Sequence, residues 1–182
     1  TIIQKFSITL LVAGLLSSIY GFVQSLDIDP FSWSKRYSPV IGFLGNPNFQ
    51  SSFLGLFFVS LCGVLAQKYR NLTSTVVILC ILFISAFLIV VSGSIQGVFV
   101  ALVGVLAFIL YFLFAKKYYK IFWSLMFAGV ITSVVFGAAV IGVGPLVSLL
   151  YRGSLVFRGD YWLAAFSMSK ANWFTGVGPD QF

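Results

Sequence analysis

The sequence has no histidine, two cysteines and only four acidic residues among 182, and between Asn71 and Ala115 it carries no charged side chain at all. Each absence excludes a class of protein. Without histidine, and with Cys62 and Cys80 both inside apolar runs and showing no partner pattern, neither a zinc site nor a disulfide framework is expected; the cysteines read as small packing residues. No cluster of acids suggests a bound divalent metal, and no cofactor is expected. Charged residues make up 8% of the chain against 60% hydrophobic ones, and the mean hydropathy is +1.06. That balance lies outside the range of a soluble domain, because no aqueous core hides so much apolar surface.

What the sequence has instead is a series of runs of bilayer length. A hydrocarbon core about 30 Å thick takes a helix of roughly 20 apolar residues. Backbone groups in hydrocarbon must be satisfied within the segment, which leaves helices or a closed barrel, and these runs are continuous instead of alternating with polar residues. The expected fold class is therefore all-α, a polytopic transmembrane helical bundle. Its five candidate spans cover residues 6–26, 49–67, 72–91, 95–115 and 121 to about 143, the last with a continuation toward 150. The uncharged stretch divides at Ser92, Gly93 and Ser94. Residues 1–150 form the transmembrane region in this reading, and 151–182 open a large external loop. In that segment Arg158, Trp162 and Phe166 recur at helical spacing, with Tyr161, Ala165 and Ser169 beside them, which predicts an amphipathic helix on the membrane surface. Thr1 is not an initiator methionine, and the first apolar run lacks a small-residue cleavage signature. It is expected to be a retained span, in a chain that is a piece of something longer.

A formal charge of +7 in a soluble protein would suggest nucleic acid, but here the basic residues sit at the ends of apolar spans, so no nucleic-acid partner is expected. Lys5, then Lys68 and Arg70, then Lys116, Lys117 and Lys120 occupy the N-terminus and two short connections that contain no acid. The positive-inside rule makes those segments cytoplasmic. All four acids, Asp27, Asp29, Asp160 and Asp180, then fall outside. So do the notable polar clusters: the loop from Asp27 to Asn48, the turn at Ser92 to Ser94, and the tail from Tyr151 to Phe182. Asn71, Leu72 and Thr73 match a glycosylation acceptor, which their basic neighbours place in the cytoplasm and so discount.

Three clusters carry the chemistry, and each has a plain structural reading beside the functional one. Gly45, Asn46, Pro47 and Asn48 read structurally as a turn with Asn48 as the N-cap of the second span, since proline disfavours helix at the residue before it. Functionally, a helix N-terminus at the outer face offers N–H donors and partial positive charge to an anion, with Asn46 adding an amide. Ser92 to Gly97 reads as a hairpin in which Gly93 and Gly97 permit close helix contact, but Gln96 at the start of an apolar helix either meets a partner helix or faces a polar cavity. The tail holds Arg152, Arg158, Asp160, Tyr161 and Trp162, then the run from Gly176 to Phe182. An Arg beside an Asp is usually a solvated pair of small energetic weight, yet the planar guanidinium suits a diphosphate through paired, charge-assisted hydrogen bonds.

Taken in order, GNPN opening a span, a Ser/Gly hairpin between two later spans, and R..YW followed by GVGP..F resemble the O-antigen ligase and O-antigen polymerase superfamily of bacterial membrane glycosyltransferases. The resemblance runs from about Gly42 to Phe182. It implies transfer of a glycan from an undecaprenyl diphosphate carrier to a lipid or glycan acceptor at the outer face of the cytoplasmic membrane. By position, Asn46 and Asn48 match the GNPN motif, Gly97 the hairpin glycine, and Arg158, Trp162, Gly176, Gly178 and Pro179 the tail. Where the family often has Ser followed by Arg, this chain has Ser94, Ile95 and Gln96. The family's external loop also continues to a His-containing segment credited with catalysis, so the catalytic base is unassigned and expected beyond Phe182. The expected substrate-binding residues are Arg158, Arg152, Asn46, Asn48 and Gln96, with membrane lipids as further partners. A polysaccharide polymerase of the same family and a membrane transporter are the alternatives. The second is weakened because no candidate span holds an ionisable residue away from its ends.

Overall fold

The computed structural model describes residues 2–33, 38–67, 71–140, 143–146 and 154–177, with the side chains of 140 and 154–160 outside that description. Six helices are described: α1 (Ile2–Ser25), α2 (Pro47–Leu65), α3 (Leu72–Val91), α4 (Ile95–Ala115), α5 (Tyr119–Val140) and α6 (Ser154–Ala171). No strand occurs among the described residues. The first five are long and apolar enough to cross a membrane, as expected of a multi-pass helical membrane protein. The boundaries of α3 and α4 coincide with the expected spans. The helix α1 begins earlier, at Ile2, and takes Lys5 into its first turns. The helix α5 is described as far as Val140; further along, Gly144 has a φ of +106° and Pro145 follows, two residues that halt a helix. The expected continuation toward residue 150 lies in part outside the described residues.

Polar residues at the boundaries mark where the spans start. Asn71 Oδ1 accepts from Ser74 N at 2.8 Å to cap α3, and Ser94 Oγ accepts from Gln96 N at 3.3 Å to cap α4. For α2 the cap is Asn46, whose Oδ1 accepts from Asn48 N at 2.8 Å. The expectation that Asn48 caps this helix is thus corrected by two residues. Proline disfavours helix before itself but fits the first helical position, where its missing N–H is no loss, so Pro47 opens the helix and Asn48 lies within it.

The chain divides into two units, residues 1–116 and 117–182. In the first, α2 is central and packs against α1, α3 and α4. Its core gathers Leu54, Phe57 and Leu61 of α2 with Leu82, Leu88 and Ile89 of α3, and with Val40 from the loop between α1 and α2. Glycines allow the close approaches. Phe57 fills the space a side chain at Gly14 would need, and a Cβ on Gly97 would stand 2.5 Å from the Ser51 carbonyl oxygen. Gly55 lies against Gly97 and Val100, and Gly104 against Val59. These contacts advance together along both helices, so α2 and α4 run parallel, with their N-termini at the same end of the unit. In the second unit, α5 presents Trp123, Phe127, Val130 and Val134 at the surface, and α6 presents Tyr161, Trp162, Leu163 and Phe166.

Candidate functional site

The loop between α1 and α2 is not a simple surface connection. Val40 and Ile41 are almost wholly buried, and a buried loop must satisfy its backbone groups. It does so through Gln24, a fully buried residue near the end of α1. Gln24 Oε1 accepts from Ile41 N at 3.1 Å and from Gly42 N at 2.7 Å, while its Nε2 donates to Asp29 Oδ2 at 2.7 Å. A second buried amide, Gln50 of α2, donates from Nε2 to Ser17 Oγ at 2.8 Å and lies directly against Gly42. Gly42 has a φ of +60°. Both the left-handed backbone and the closeness of Gln50 require glycine there.

Asp29 collects the other limb of the loop. Its carboxylate accepts from Tyr20 Oη at 3.1 Å, Gln24 Nε2 at 2.7 Å, Phe31 N at 3.1 Å and Trp33 Nε1 at 3.0 Å. Partial burial acts to raise this carboxyl, and the donated hydrogen bonds from Phe31, Gln24, Tyr20 and Trp33 outweigh it, so it stays below its ordinary value. The loop also reaches the hairpin between α3 and α4, where Ser38 Oγ donates to the Ser92 carbonyl at 2.8 Å.

The first two sequence clusters meet here. Ser94 Oγ donates to Asn48 Oδ1 at 2.9 Å, joining the first turn of α2 to the cap of α4. Two parallel helix N-termini are thereby tied side by side, and their peptide dipoles place partial positive charge at those termini, beside the C-terminal ends of α1 and α3. Asn46 and Asn48 are half-buried, and so is Gln96, one residue into α4. Asn46 commits its side-chain oxygen to capping, and Asn48 commits its own to Ser94. Of the hairpin glycines, Gly97 makes the expected close helix contact. Gly93 instead serves the turn, with a φ of +70° and open space where a Cβ would project.

The third cluster is only partly described. Arg158 and Asp160 belong to α6, but their side chains lie outside the described residues, as do Arg152, Gly178, Pro179 and Asp180 altogether. Gly176 forms a left-handed turn after α6, with its N–H donating to the Asn172 carbonyl at 2.8 Å. It borders an open depression lined by Ala165, Met168, Ser169 and Trp173. Among the described residues, no three His, Cys, Asp or Glu stand together as a metal site.

Gln24, Gln50 and Ser38 hold this end of the unit together, and none of them stood out in the motifs. Gln24 and Gln50 did carry a signal, since a primary amide inside an apolar span must find a partner. What the assembly offers chemically is a cluster of hydroxyl and amide groups around paired helix N-termini, suited to an anion at the membrane boundary. No protein-family model, curated protein or solved structure matches the chain.

Proposed function

We propose that this chain is part of a bacterial membrane glycosyltransferase that moves a glycan from an undecaprenyl diphosphate carrier to an acceptor hydroxyl at the outer face of the cytoplasmic membrane. The observation that carries the reading is the Ser94–Asn48 hydrogen bond. It brings the GNPN turn and the Ser/Gly hairpin, far apart in sequence, into one anion-friendly patch. In this orientation the N-terminus and the Lys68 and Lys116 connections face the cytoplasm.

The reaction is displacement at an anomeric carbon. The acceptor oxygen forms a bond to that carbon, the bond to the phosphate oxygen breaks with its electron pair, and the diphosphate departs on its lipid. Two demands follow: donors around the charge developing on the departing diphosphate, and a base to take the acceptor proton. Arg158 leads in the first role, with Arg152 second, because the guanidinium fork matches phosphate oxygens. Asn46, Asn48 and Gln96 support the patch, which the α2 and α4 dipoles make favourable to negative charge.

The test is Arg158→Ala in the full-length protein. Transfer is expected to be lost while membrane insertion and yield are unchanged, and retained transfer would reject the role. Surface glycan from a deletion strain then distinguishes the acceptors. Glycan no longer attached to its anchor indicates a ligase, and chains of a single repeat indicate a polymerase.

A further inference from the structure

Among the described residues of the loop between α1 and α2, the carboxylate of Asp29 and the backbone of Ile41 and Gly42 are satisfied internally while several large apolar side chains stay exposed. Asp29 is engaged by Tyr20, Gln24, Trp33 and the Phe31 N–H. The backbone at Ile41 and Gly42 is taken by Gln24. Tyr20 packs beneath both limbs, stacked on Phe43 with ring centroids 4.5 Å apart and edge-on to Phe31 at 6.2 Å. Trp33 reaches across toward Gly45, its ring 3.7 Å from where a Cβ would sit. The two limbs are thus one interlocked platform. Yet Phe31, Phe43, Leu44 and Phe49 are each more than half exposed, the reverse of a loop made for water, whose ordered side chains would be polar.

We infer that this platform is seated in the bilayer, with Phe31, Phe43, Leu44 and Phe49 in the headgroup and upper acyl region of the leaflet where α1 ends and α2 begins. Two observations select lipid as the occupant. The exposed apolar residues Leu16, Ile19 and Phe22 of α1 are followed by exposed Leu26 and Ile28 on either side of Asp27, so the platform adjoins the surface of a span. Its depth is also bounded by the chain itself. Leu26 follows the last residue of α1, and Leu44 lies three positions before the first residue of α2, at the level where aromatic side chains settle between headgroups and hydrocarbon. The consequence is a shallow rim of lipid around the Asn46 turn, so a ligand reaching that turn from the side travels within the membrane.

The test uses the full-length protein reconstituted in phosphatidylcholine vesicles, with Cys62 and Cys80 replaced by alanine and a nitroxide on Leu44→Cys. Collision with oxygen, which concentrates in lipid, is compared with collision with a water-soluble nickel chelate. Leu44 is expected to follow a label at Phe22→Cys, favouring oxygen, and to differ from one at Lys117→Cys. Preference for the nickel chelate would place the platform in water and overturn the inference. Low collision with both reagents would also overturn it, by showing that protein covers the surface. If Leu44→Cys does not fold, Phe49→Cys reads the same surface. The result is independent of glycan transfer, so a failure here leaves the proposed chemistry standing, and the reverse holds.

Discussion

A side-chain amide that accepts two backbone N–H groups while donating to a carboxylate has no apolar substitute, and Gln24 holds that position with complete burial. Gln24→Leu strands the Ile41 and Gly42 donors in a dry interior, and each stranded group costs about 1–3 kcal/mol. Thermal unfolding in detergent is expected to show a clear loss. For the Asn48 and Ser94 pair a double-mutant cycle to alanine is expected to return a coupling near 0.6 kcal/mol, the mean for such hydrogen bonds within membranes. A coupling of zero would mean the two clusters are not joined. Asp29 supplies the pH dependence. Its carboxyl is lower in the folded protein than in the unfolded chain, so its stabilising contribution is full above the unfolded value of about 3.9. It fades as pH falls through the lower folded value. Trp33 emission, read with the other tryptophans replaced by phenylalanine, is expected to hold steady from pH 8 to about pH 5 and to change only below about pH 4. At this scale the sequence was only partly legible. Asn46 and Asn48 stood out as polar groups at a span start, but the cap is Asn46 and not Asn48, because local rules could not say whether Pro47 lay before the helix or inside it. Gln24 and Gln50 passed unnoticed because their partners sit 17 and 33 positions away, and pairing over such distances exists only after the helices have packed.

Between elements, the parallel contact of α2 with α4 is the seam of the first unit, and it depends on the absence of side chains. Gly97 faces the Ser51 backbone, which cannot turn aside as a flexible side chain could. Gly97→Leu is therefore expected to part the helices at that end, with loss of compact migration in detergent as the measured outcome. Gly63→Ala, at a position with open space around it, is the control and is expected to be neutral within about 0.5 kcal/mol. The elements themselves were the most legible level of the sequence. Long apolar runs bounded by Asn71, Ser94 and Lys116 announce their own ends, and α3 and α4 match expectation to the residue. What hydrophobicity does not encode is which helices touch. Nearly every face of these spans is apolar, and the small residues that select the α2–α4 seam resemble those at Gly129 and Gly137, which have nothing nearby.

For the whole molecule, the distribution of basic residues predicts an arrangement that labelling can check. With the two native cysteines removed, a cysteine in place of Ser32, an exposed polar residue of the loop between α1 and α2, is expected to react with an impermeant maleimide added outside intact cells, and one at position 117 only after the membrane is opened. The opposite pattern would invert the orientation and with it the proposed site. The composition made the membrane environment plain from the outset, since no charged residue interrupts the stretch from Asn71 to Ala115. The loop that dips back into the first unit was hidden, because Val40 and Ile41 lie in a short, proline-bounded segment that resembles any other connection. That loop bears on biosynthesis. As the nascent chain leaves the ribosome, Gln24 emerges before Ile41 and Gly42, and Ser17 before Gln50. An α1 that enters lipid alone carries its amides unmatched, and one that stays at the translocon until α2 arrives does not, so the pairing favours insertion of α1, the loop and α2 together.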